Sequence, residues 1–76
     1  MKREETAIEV LCDIALDPAR MLAERQRAID ALTLFKEASL GALERIERTT
    51  DNLVLKERAR LYVQRIKDGV IVSMNL

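Results

Sequence analysis

The chain has no histidine and no tryptophan, one cysteine, one proline and two glycines in 76 residues. Each shortage excludes a class of function. Without histidine the commonest general base near neutral pH and the commonest metal ligand are both missing. One cysteine and no histidine cannot fill a tetrahedral zinc site, and no other cofactor is expected. Gly41 and Gly69 stand alone, so no glycine-rich loop is available to cradle a phosphate. Glu44-x-x-Glu47 supplies only half of a carboxylate-bundle metal motif and reads as a solvated face. Taken together these gaps lead us to expect no catalysis.

Cys12 has no partner for a disulfide within the chain. It reads as a small buried hydrophobe, with a reactive or intermolecular thiol as the alternative, and the composition fits a reducing cytoplasm. Aromatics amount to 3%, Tyr62 and Phe35, which is too few for a base-stacking platform. Thirteen basic and thirteen acidic residues cancel, so the chain lacks the positive field of a general nucleic-acid binder. No stretch reaches the ~18 apolar residues of a membrane span. Met1-Lys2-Arg3 runs directly into Glu4 and Glu5 with no apolar segment behind it, so no secretory leader is expected.

What the chain does carry is helical periodicity. In the stretch from Asp17 to Phe35, Leu22, Ala28, Ile29, Leu32 and Phe35 fall on one side and Arg20, Glu24, Arg27 and Asp30 on the other. Asp17 and Pro18 read as the N-cap and first position of this helix, which is expected to run to about Glu37. A preceding helix is predicted from about Glu4 to Leu16, with Ala7, Ile8, Leu11, Ile14 and Ala15 on its stripe and two acids in its first turn. Ser39 is the expected N-cap of a short third helix bearing Leu40, Ala42, Leu43 and Ile46 inward. Thr49-Thr50-Asp51-Asn52 is a cluster of turn and cap formers, so a fourth helix should begin near Leu53. Its stripe is Leu55, Ala59, Tyr62 and Ile66 beside Val63, and Gly69 ends it. The expected core is Leu11, Ile14, Ile29, Leu32, Phe35, Leu43, Ile46, Tyr62 and Ile66.

The two halves are alike. Ala7-Ile8-Glu9 corresponds to Ala42-Leu43-Glu44 and Glu24-Arg25-Gln26-Arg27 to Glu57-Arg58-Ala59-Arg60, at offsets of 35 and 33. With Asp17-Pro18 followed by Arg25, Ala28, Ala31 and Leu32, the first half resembles a HEAT-type repeat. The second half keeps Asp51 and Arg58 but places Leu61 and Gln64 at the small-residue positions. The resemblance implies a scaffold, with Asp17 and Arg25 as structural partners and no catalytic residues.

The predicted fold is therefore an all-α single domain over 1–69, two stacked antiparallel helical hairpins (about 4–37 and 39–68) with four helices, followed by an apolar tail at 70–76. Two features are candidates for function. Lys56, Arg58, Arg60, Arg65 and Lys67 oppose a single acid, Glu57, between Lys56 and Lys67. They could meet phosphates or an acidic partner, or pair with Glu44, Glu47 and neighbouring acids. The tail contains Val70, Ile71, Val72, Met74 and Leu76, an aggregation hazard if left in water. It is expected either to cover helix 4 or helix 2, or to dock on another subunit or partner. Solenoids need about three repeats for stability, so a two-hairpin chain is expected to self-associate. The functional expectation is a noncatalytic, cytoplasmic protein-binding or assembly module forming a homodimer, without a membrane segment. A small nucleic-acid-associated regulator using the fourth helix is the alternative.

Overall fold

Apolar residues recurring at three and four positions, with hardly a glycine or proline to interrupt them, dictate helix along almost the whole chain. The computed structural model describes residues 3–69, and within them every regular element is helical. They are α1 (Arg3–Leu16), α2 (Leu22–Leu32), a 3-10 segment (Thr33–Ser39), α3 (Leu40–Thr49) and α4 (Leu53–Lys67). The expectation of four separate helices is corrected: α2, the 3-10 segment and α3 abut without a loop, giving three helical stretches, 3–16, 22–49 and 53–67, the middle one kinked at Lys36. The middle run changes pitch and kinks instead of opening into a loop. No proline or glycine between Phe35 and Ser39 ends the helix, so the reversal is made at Lys36 (φ 52, ψ −131).

Three local expectations also change. α2 does not start at Asp17-Pro18, because Asp17 spends its capping capacity on a turn: its Oδ1 accepts from the Ala19 amide at 2.9 Å and its carbonyl from the Arg20 amide at 3.2 Å. The helix begins after Met21, whose amide donates to the Glu24 carboxylate at 3.2 Å. Arg25 is not the partner of Asp17. Its Nε donates to the Ala15 carbonyl at 2.9 Å, supplying one of the acceptors left open at the end of α1, while Asp17 faces Arg20 at 3.6 Å. Ser39 precedes α3 but does not cap it. The residue is fully buried and its hydroxyl donates to the Lys36 carbonyl at 2.8 Å, bracing the kink.

α4 follows the expected rules. The Asn52 side chain accepts from the Leu55 amide at 3.0 Å, and Gly69 leaves the helix at φ 78, in the left-handed region that favours glycine. α1 packs on α2 and α3 on α4, while α1 also meets α3 and α2 meets α4. The buried core comprises Cys12, Ala15, Ala28, Ile29, Leu32, Leu43, Ile46, Leu55, Ala59, Val63 and Ile66. Leu11, Ile14 and Tyr62 are only half-buried against it, and Phe35 is half-buried next to the kink, because Ile29, Leu32, Leu43, Ile46 and Leu55 occupy the centre. No helix among the described residues is long and apolar enough to cross a membrane. The tail residues Val70, Ile71, Val72, Met74 and Leu76 lie outside the described residues.

Candidate functional site

The five basic residues of α4 do not form one stripe. At about 100° per residue, Lys56, Arg60 and Lys67 share one flank of the helix and Arg58 and Arg65 the opposite flank, with the apolar face between them. Each flank meets acids of a neighbouring helix. Toward α3, Lys67 Nζ lies 3.4 Å from Glu44 and Arg60 Nε 3.3 Å from Glu47, with Glu57 3.5 Å from Arg60 on the same helix. Toward α2, the Arg58 guanidinium donates to Asp30 Oδ1 at 2.9 Å. Lys56 and Arg65 have no ion pair among the described residues.

Around Asp30 the polar groups converge. Tyr62 stands one turn beyond Arg58, so both side chains reach the same carboxylate. The Tyr62 hydroxyl donates to Asp30 Oδ1 at 2.8 Å and accepts from Arg58 at 3.2 Å. The three groups tie α4 to α2. Burial, and then the hydrogen bond to Asp30, hold the phenol above its ordinary value near 10, against the opposing pull of Arg58. Arg58 is pushed upward, chiefly by its hydrogen bond to Tyr62, and stays charged. Sequence reading placed Arg58 on a surface and Tyr62 in the core; Asp30 was the missed member. The Arg58–Tyr62 spacing of one helical turn was the available signal, but nothing local names the acid 28 residues away.

Cys12 is buried against α3, with its Sγ 4.0 Å from the Ala42 carbonyl. Burial pushes the thiol up, aided by Asp13 and Glu9 and opposed by Arg45, so it is the inert protonated form that the site holds. An open groove of about 290 Å³ runs beside it between α1 and α3, walled by Glu5, Glu9 and Arg45.

A second groove lies on the other side of α1. It measures about 360 Å³, has Leu11, Ile14, Ala28 and Ala31 along it, and is edged by Arg20, Glu24 and Arg27. A smaller depression of about 230 Å³ adjoins it through Ile14 and Arg20 and adds Val10, Asp13 and Asp17. Val10 is 51% exposed. On α1, Ile8, Cys12 and Ala15 face the core with Leu11 and Ile14 packed half-buried against it, and Val10, about 160° round the helix from Cys12, is the apolar residue left exposed beside the groove. Among the described residues no group of three or more His, Cys, Asp or Glu side chains could hold a metal ion. Compared with family models, curated proteins and solved structures, the chain shows no match to any of them.

Proposed function

We propose that this chain is a noncatalytic protein-binding module, a HEAT-like pair of stacked helical hairpins that assembles by self-association. The observation that supports it best is the exposed Val10 on α1, which with the half-buried Leu11 and Ile14 borders open apolar depressions. An exposed apolar residue beside an open apolar groove is a natural place for a partner to make contact. The neighbour relations of the helices fit the same reading, since α1 lies on α3 and α2 on α4 as like elements of two stacked repeats do.

The alternative, a nucleic-acid-associated regulator acting through α4, has less to stand on. Arg58, Arg60 and Lys67 are engaged with Asp30, Glu47 and Glu44, which leaves Lys56 and Arg65 on opposite flanks. Light scattering on the full chain and on a version ending at Gly69 tests the proposal and assigns the tail. A full chain that dimerises supports assembly, and loss of the dimer on truncation makes the tail its element. A full chain that stays monomeric at several concentrations refutes assembly. Salt-sensitive binding to duplex DNA, abolished by Arg58→Glu with Arg60→Glu, would favour the regulator instead.

A further inference from the structure

The groove between α1 and α2 has a rim whose charges are arranged for a copy of itself. On the far edge of α1 stands Asp13, and on the outer edge of α2 stands Arg27; both are exposed, and neither has an ion pair among the described residues. Their level is set by the hairpin register. Arg25 is bound to the carbonyl of Ala15, and in an antiparallel pair two residues back along α1 and two forward along α2 lead to the same height. That height joins Asp13 and Arg27. One hairpin therefore presents an acid and a base side by side, across an apolar trough formed by Val10, Leu11, Ile14 and Ala31.

Resting on the self-association reading, we infer that this face binds a second copy of the chain about a two-fold axis parallel to the hairpin. The choice of axis follows from charge. A two-fold between facing surfaces must lie in the interface plane. Set across the helices, it stacks α1 on α1 and leaves Asp13 and Arg27 without opposite-charge partners. Set along them, it lays α1 of each copy over α2 of the other and keeps heights unchanged. Asp13 of each subunit then faces Arg27 of its partner, twice, with Val10, Leu11 and Ile14 closed between them.

The footprint follows from the helix lengths. α1 has 14 residues and α2 has 11. At 1.5 Å per residue the face is about 20 Å long, and two helices are about 20 Å wide, giving about 400 Å² per partner. A standard interface covers about 800 Å² per partner, so this one is small and its dimer is expected to be concentration-dependent.

The test is sedimentation velocity on the full chain, with circular dichroism to confirm that every variant is folded. Asp13→Arg alone and Arg27→Asp alone each set like charges face to face and should weaken dimerisation by about tenfold or more. An equimolar mixture of the two single variants should recover the dimer, because both cross-subunit pairs are then restored in opposite polarity. Val10→Glu, at an exposed position, should abolish association in any mixture. If the single variants dimerise like the parent, or if the mixture fails to recover, this face and axis are wrong while assembly itself stands. A parent chain that remains monomeric up to millimolar concentration overturns both.

Discussion

Removing one oxygen atom from the cluster at Asp30 should be felt by the whole domain. In Tyr62→Phe the ring keeps its place against the core, but Asp30 loses a donor at 2.8 Å and Arg58 an acceptor at 3.2 Å. A hydrogen bond to a charged group contributes about 1.5–3 kcal/mol when shielded, and exposed ion pairs are worth only about 0–1 kcal/mol. Here the side chains of Arg58 and Asp30 remain 36% and 45% exposed and keep their direct contact of 2.9 Å. A loss of about 1 kcal/mol is therefore expected, a fall in Tm of about 4–8 °C for a domain this small. Thermal and urea unfolding followed by circular dichroism at neutral pH measure it. Tyr62 is the sole tyrosine and there is no tryptophan, so near-ultraviolet absorbance reports one phenol. Its titration should lie above 10 in the folded chain and near 10 in urea. The folded state holds the proton more tightly, so its contribution is intact below pH 10 and is lost as pH rises through the higher folded value. A stability change under about 0.3 kcal/mol, together with a phenol titrating at or below 10, would refute the cluster as a tie between α2 and α4.

Three further outcomes are expected. Leu32 is fully buried, and Leu32→Ala should cost about 2–5 kcal/mol in urea unfolding, enough to unfold much of a domain this size. Lys36 carries φ 52 at the kink, so Lys36→Gly should stabilise the chain by about 1 kcal/mol; destabilisation would mean that the lysine side chain supports the reversal. The Cys12 thiol is buried and pushed upward, so a thiol reagent should modify it only on unfolding, at a rate that follows denaturant. Rapid labelling of the native chain at neutral pH would contradict that placement.

Much of the helical architecture was legible because apolar spacing and end signals agree. Asn52 caps α4 and Gly69 terminates it where turn chemistry says they should. The signals that misled are those with two physical meanings. Asp17-Pro18 serves a helix start and a tight turn equally well, and the turn won because Asp17 is satisfied by Ala19 two residues on. Ser39 has the chemistry of a cap but lies in the interior, bound to Lys36. The kink at Lys36 has no glycine to announce it. In the candidate site, counting charge along the sequence made one basic surface of residues that the helix divides between two flanks. Of the acids that meet them, Glu44 and Glu47 were named from the sequence as alternative partners, whereas Asp30 comes from α2 and only packing reveals it. The exposed apolar position on α1 was hidden as well. Ala7, Ile8, Leu11, Ile14 and Ala15 read as one stripe, and the core takes Ile8, Leu11, Ile14 and Ala15 from it, while the exposed Val10 carried no periodic signal of its own.

Sedimentation equilibrium of the full chain across a wide concentration range tests the assembly account most directly. The account predicts a mass that rises from 8.7 kDa toward twice that value as concentration increases. A mass fixed at 8.7 kDa from micromolar to millimolar concentration would contradict it.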